Sequence, residues 1–164
     1  MQQFRIRPEE PGDWWEVEAL YDLCFAPGRE ALSSYRLRDD VPPVSGLSMV
    51  VRDAEEILAG AIRFWPVHVG ASDALLLGPV AVHPTHQGEG LGAFLIREGI
   101  VAGREMGWQR VMLVGDAPYY SRFGFSRLHG VEMPPPTNPE RVLGMDLTPG
   151  GWENVRGAVT RWRK

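Results

Sequence analysis

Apolar residues are densest from Ala74 to Val82, where Ala-Leu-Leu-Leu-Gly-Pro-Val-Ala-Val runs without a polar break. Such a run predicts a strand buried on both faces. Beyond it the period changes. Leu91, Leu95, Ile96, Ile100, Ala102 and Met106 share one broad side of a helical projection, with Arg97, Glu98, Arg104 and Glu105 opposite. That pattern predicts a helix packed on a sheet. Alternation or short apolar runs predict further strands at Phe4–Arg7, Leu47–Arg52, Ile57–Val67, Arg110–Val114, from Phe125, and at Arg141–Leu147. Asp13 with Glu16 predicts a capping box opening a helix that runs to about Phe25. A second, shorter helix is expected over Arg29–Arg38, and another near Pro118–Phe123. Pro134, Pro135, Pro136 and Pro139 exclude regular structure from Val131–Arg141. Gly150 and Gly151 precede a tail expected to be helical, carrying Trp152, Val155, Val159 and Trp162.

Between the buried strand and the long helix lies Gln87-Gly88-Glu89-Gly90-Leu91-Gly92-Ala93. The first N–H groups of a helix have no partner inside it, and the helix dipole makes that end electropositive. Glycines there allow positive φ and close approach, so several N–H groups can converge on a phosphate. The plain alternative is a structural turn. Gly88-x-Gly90-x-x-Ala93 also satisfies the dinucleotide fingerprint, with Asp116 as its acid. Against that stand the intervening His83–Gln87 and the short chain beyond Asp116, too short for the rest of a doubly wound sheet. No Gly-Lys-Ser/Thr follows, which excludes a P-loop.

Gln87-x-x-Gly90-x-Gly92 resembles the Gln/Arg-x-x-Gly-x-Gly/Ala signature of the GCN5-related N-acetyltransferases, and Tyr120-x-x-x-Gly124-Phe125 resembles that family's Tyr-x-x-x-Gly-Phe element. The resemblance covers nearly the whole chain and lapses past Leu147. It implies an α/β (α+β) fold: a mixed, mostly antiparallel sheet, splayed between its fourth and fifth strands and flanked by helices. It implies acetyl-coenzyme A as cosubstrate and an amine acceptor, small molecule or peptide, that attacks the thioester directly. Val80, Ala81 and Val82 would bind the pantetheine arm through their backbone, and Gly78-Pro79 fits a bulge at the splay. Gln87, Gly88, Glu89, Gly90, Leu91, Gly92 and Ala93 would surround the pyrophosphate. Asp116 and Tyr119 fall beside the cofactor, although a shortened Gly115–Pro118 loop departs from the family pattern.

Tyr120 occupies the position of the acid that protonates the departing thiolate, with Tyr119 its neighbour and rival. His83 is a candidate base, alongside Asp116, Glu30, Asp39 and Asp40. The acceptor is expected between Phe25–Pro43, Trp65–His68 and Val131–Arg141. A catalytically silent acyl-coenzyme A-sensing domain is the alternative from another class.

Composition narrows the rest. A chain of 164 residues suits one domain, 1–164, and a net charge of −4 argues against a nucleic-acid-binding body. Cys24 is alone, which excludes an intrachain disulfide. No apolar run reaches membrane-spanning length and no signal peptide is visible, so a cytoplasmic location is expected. His83 and His86 without a third ligand imply no metal. Dimerisation is common in the resembled family, and a homodimer is a possibility the tail leaves open.

Overall fold

The computed structural model describes residues 3–25 and 33–163. The elements are β1 (Arg5–Pro8), α1 (Trp14–Cys24), α2 (Ser33–Arg36), β2 (Met49–Arg52), β3 (Leu58–Val69), β4 (Ser72–Val82) and α3 (Leu91–Glu105). They continue with β5 (Arg110–Val114), α4 (Ala117–Tyr120), β6 (Ser126–Arg127), β7 (Val131–Glu132), β8 (Val142–Asp146) and β9 (Gly157–Arg161). The part of the expected Arg29–Arg38 helix before Ser33 lies outside the described residues, as does Glu30.

The strands form one path in the order β1-β2-β3-β4-β5-β8-β6. Neighbours along it are antiparallel except β4 and β5, which pair in parallel through Leu75↔Val111 and Leu76↔Met112. Beyond Leu76 these two strands share no further pairs, so the second half of β4 keeps β3 as its neighbour and opens toward β5.

A bulge accompanies the opening. Ile62 faces Val80 and Phe64 faces Leu77, which leaves Arg63 opposite both Gly78 and Pro79. One inserted residue reverses the in–out alternation of a strand. Leu75 and Leu77 before the bulge, and Val80 and Val82 after it, therefore all pack on the cluster under α3, with Leu95, Ile96 and Ile100. The other face carries Val17, Leu20 and Tyr21 of α1 against Val50, Ala61 and Ala81.

The long helix matches its expected span, with one exchange on its buried face. Met106 is half exposed, whereas Gly99 and Gly103 are buried. A methyl on Gly99 would lie 2.4 Å from Phe64 Cζ, and one on Gly103 would lie 3.1 Å from Leu75 Cδ1. Hydrophobic patterning counts glycine as neutral; here its lack of a side chain lets the helix settle onto the sheet.

Three expectations are corrected. The Asp13 capping contact reaches backward, with the Asp13 carboxylate accepting from the Glu10 N–H at 2.8 Å. That carboxylate also takes Arg7 at 2.6 Å and Arg52 at 2.9 Å, so it pins α1 to β1 and β2 rather than reaching Glu16. The tail is not helical: β9 pairs with β3 through Val67↔Arg161, His68↔Thr160 and Val69↔Val159. Val155 and Val159 have helical spacing, but pairing with the free end of β3 overrides that local preference. Val131–Arg141 is largely irregular as expected, save that Val131 and Glu132 pair in parallel with β9. Both tail tryptophans serve their own chain. Trp152 Nε1 donates to Met145 O at 3.2 Å, and Trp162 stacks on His68 at 4.6 Å between ring centres.

Candidate active site

Where β4 leaves β5, its backbone has a free side, and the ladder phase shows which groups face it. His83 N–H donates to Ala59 O, so His83 and Ala81 spend their backbone groups on β3. Val80 and Val82, at the alternate positions, turn theirs toward the opening. An open edge of this kind accepts an extended, amide-bearing chain as an added strand.

The glycine loop closes one end of the opening. Gly88 has φ +86° and Gly90 has φ +81°, and no atom lies within 4 Å of a methyl placed on either. These two glycines answer to conformation. Gly92 has an ordinary φ and answers to space: a methyl there would point between Val82 Cγ2 at 3.6 Å and the Tyr119 hydroxyl at 3.9 Å. Gly90 is the residue before the first turn of α3, and its carbonyl accepts from Phe94 N–H at 3.0 Å. The N–H groups of Leu91, Gly92 and Ala93 therefore have no acceptor within the helix and carry the positive end of its dipole.

Glu89 turns away from these donors. Its carboxylate meets His86 Nδ1 at 3.1 Å, while Asp53 approaches His86 Nε2 at 3.5 Å. The acid beside the expected phosphate site is thus held by a neighbouring histidine. Gln87 donates to Val82 O at 3.4 Å. His83 caps the turn after β4, with its Nδ1 accepting from Thr85 N–H at 3.2 Å and lying 2.8 Å from Thr85 Oγ1. Five residues of extended chain separate it from Gly78, about 16 Å. That distance places His83 at the glycine-loop end of β4.

Across the opening stand the tyrosines of α4. Asp116 caps this short helix, accepting from Tyr119 N–H at 3.2 Å, so its carboxylate has a structural task. The rings of Tyr119 and Tyr120 are 5.0 Å apart and nearly perpendicular. Tyr119 places its hydroxyl beside Gly92. Tyr120 packs edge-on to Phe125 at 5.9 Å and close against Gly115. Burial, reinforced by Tyr119, pushes the Tyr120 phenol up to about 12.

On the far side of the bulge lies a cavity of about 450 Å³, lined by residues that include Trp14, Tyr21, Tyr35, Arg38, Asp39, Asp40, Arg63, Trp65 and Pro79. The expected acceptor segments Phe25–Pro43 and Trp65–His68 supply part of this wall; Val131–Arg141 does not contribute to it. Sequence reading missed Trp14, Tyr21 and Arg63. Tyr21 donates to Pro79 O at 2.9 Å and Trp65 Nε1 to Gly78 O at 2.6 Å, so both bulge carbonyls are fixed from the cavity side. Arg63 is buried, paired with Glu9 at 3.0 Å and Glu18 at 2.5 Å, and lies 3.8 Å from the Trp14 ring centre. A charged residue in an otherwise apolar strand was the available signal for such a site. Among the described residues, no group of three or more His, Cys, Asp or Glu stands together as a metal site.

A sequence profile of the Acetyltransferase (GNAT) family matches residues 14–125. The Escherichia coli K12 protein YhbS, described as an uncharacterized N-acetyltransferase, is 36% identical over 122 residues, covering 73% of this chain and 72% of YhbS. The chain belongs to the GNAT acetyltransferase family. Its structure is similar to that of E. coli YhbS in complex with CoA, with a TM-score of 0.85 and 29% identity over 99% of this chain and 91% of the other. It is also similar to a GNAT family acetyltransferase from Brucella melitensis in complex with acetyl-CoA. There the TM-score is 0.74 and identity 28%, covering 99% of this chain and 97% of that one. The fold is the GNAT fold, with the parallel β4–β5 pair at its centre, and family membership makes the protein an acyltransferase.

Proposed function

We propose that this protein transfers the acetyl group of acetyl-CoA to an amine held in the cavity beside the β4 bulge, using the opening between β4 and β5 as the acetyl-CoA groove. The observation that carries this reading is the coincidence of three features along one opening. They are the backbone edge at Val80 and Val82 that no strand pairs with on the β5 side, the N–H groups of Leu91–Ala93 that have no acceptor within the helix, and the bulge at Gly78-Pro79 beside the cavity. The pyrophosphate, the amide-rich arm and the thioester, consecutive along acetyl-CoA, would meet the glycine loop, the edge and the bulge in turn. Two relatives of similar structure hold CoA or acetyl-CoA, which supports the same assignment here.

Acetyl-CoA supplies the reactive thioester carbonyl. The amine nitrogen bonds to that carbon, the carbon–sulfur bond breaks, and the amine surrenders a proton as the sulfur departs as thiolate. A free thiol titrates near 8.5, well below the raised Tyr120 phenol. Tyr120 therefore keeps its proton throughout the working range and serves the thiolate as a hydrogen-bond donor; any proton it passes to the sulfur is replaced by the one the amine releases. Asp39 and Asp40, exposed at the cavity, are the candidate groups to receive the amine proton.

Thermal denaturation with acetyl-CoA, CoA, NAD and ATP side by side tests the reading. A ligand at 100 times its Kd adds about 2.7 kcal/mol of stability. Stabilisation by the two coenzyme A species alone is the expected result. A response to NAD alone would transfer the loop to the dinucleotide class, and binding of acetyl-CoA without thiol release across a broad amine panel would favour a sensing domain.

A further inference from the structure

The cavity wall contains a buried cation, Arg38, that is only partly paired. Arg38 Nε and Nη1 are shut off from solvent, and neither has a hydrogen-bond partner among the described residues. The guanidinium lies 4.1 Å from the Tyr35 ring centre and 5.3 Å from that of Trp65. Its Nη2 stands 3.6 Å from where a methyl on Gly78 would sit, so this charge is at the bulge itself. Aromatic faces offset part of the cost of burying a cation, but they accept no N–H bond. Buried polar groups in folded proteins are almost always paired, and one left open beside a cavity calls for a ligand.

The other charges of the cavity identify what kind. Arg63 is satisfied by Glu9 and Glu18. Asp39 and Asp40 are exposed, and Asp40 sits at φ +59° in the turn after Arg38. The cavity thus offers a buried guanidinium with unmet N–H groups at the bulge and two carboxylates toward solvent.

We propose that Arg38 binds a carboxylate of the acceptor, so that the preferred acceptor is a small amine bearing a carboxylate, an amino acid in the broad sense. In an α-amino acid the amine lies two bonds from the carboxylate carbon. Anchoring the carboxylate on Arg38 therefore brings the amine to Gly78 and Pro79, where β4 leaves β5. The Arg fork matches a carboxylate in two parallel hydrogen bonds, which a lysine cannot reproduce. A cavity of about 450 Å³ suits a molecule of this size. This inference rests on the acetyltransferase reading above and adds the substrate class.

The test uses matched pairs of an amino acid and its decarboxylated amine: lysine with cadaverine, tyrosine with tyramine, histidine with histamine. Wild-type protein is expected to favour the carboxylate member of the pairs it accepts by about 10- to 100-fold in kcat/KM, the range a charge-assisted pair supplies. Arg38→Met should bring that ratio near one, chiefly through KM, and Arg38→Lys should give an intermediate value. A second arm needs no turnover. With CoA present, N-acetylated amino acids should raise the Tm of wild-type protein while N-acetylated amines of similar size do not, and Arg38→Met should abolish the difference. Before any ligand is added, Arg38→Met should melt no lower than wild type, because it removes a buried charge whose Nε and Nη1 have no hydrogen-bond partner. Equal loss for both members of every pair, or no stabilisation of wild type by any carboxylate-bearing product, would overturn the assignment. Acetyl-CoA alone reports separately on the underlying reading: it should stabilise wild type and Arg38→Met alike, and failure in both would sink the acetyltransferase function itself.

Discussion

Gly99 shows how much a single position contributes to placing the helix. With Phe64 Cζ only 2.4 Å from where a methyl would sit, Gly99→Val must push α3 off the sheet. The expected cost is about 1–3 kcal/mol, read as a lower denaturation midpoint. Tyr120 makes a chemical rather than a steric prediction. Tyr120→Phe should lower kcat by about 100-fold or more with little change in acetyl-CoA affinity, since only the hydroxyl is lost. Because burial holds the phenol near 12, the wild-type rate should show no alkaline limb from this group below about pH 11. Its spacing to Gly124 singled this residue out as a candidate, whereas its packing against Gly115 was not legible, because the contact depends on how the turn folds. Arg38 was invisible as a feature: one arginine among many acquires meaning only when Trp65, Tyr35 and Gly78 surround it.

At the scale of elements, the strand–loop–helix unit from β4 to α3 carries the proposed site, and the glycines of the loop make two different demands. Gly88 and Gly90 need positive φ, so a valine at either strains the turn by about 1–2 kcal/mol. Gly92 needs empty space. Gly92→Leu should fill the gap between Val82 and Tyr119, which already stand at ordinary contact distance from an added methyl. Acetyl-CoA binding measured by calorimetry should then fall by at least tenfold. The apolar run and the helical period made β4 and α3 legible with nearly correct ends, because both elements are long and buried. The Gly78-Pro79 bulge was legible too, since proline cannot serve a central ladder. The tail was not. Its five-residue strand is decided by the free end of β3, a partner far away in sequence, and local spacing of Val155 and Val159 pointed the other way.

Across the whole molecule, two ion clusters fasten α1 to the sheet, one built on Asp13 with Arg7 and Arg52, the other on Arg63 with Glu9 and Glu18. The hydrogen bond from Arg7, then those from the Glu10 N–H and Arg52, hold the Asp13 carboxyl well below the ordinary carboxylate range despite its burial. A folded-state pKa below the unfolded value contributes stability that is present above about pH 4 and is lost as pH falls further, through the folded pKa. Asp13→Asn should therefore cost about 2–3 kcal/mol at neutral pH and progressively less in acid, which denaturant titrations at pH 7 and pH 3 would compare. No helix among the described residues is long and apolar enough to cross a membrane. What unites these parts is the opening between β4 and β5, and amide hydrogen exchange on the full chain examines it directly. Acetyl-CoA should slow exchange at Val80 and Val82 and at the amides from Gly88 to Ala93, while leaving β9 unchanged. Protection confined to other segments, or none at all with acetyl-CoA in excess, would contradict the assignment of this opening as the acetyl-CoA groove.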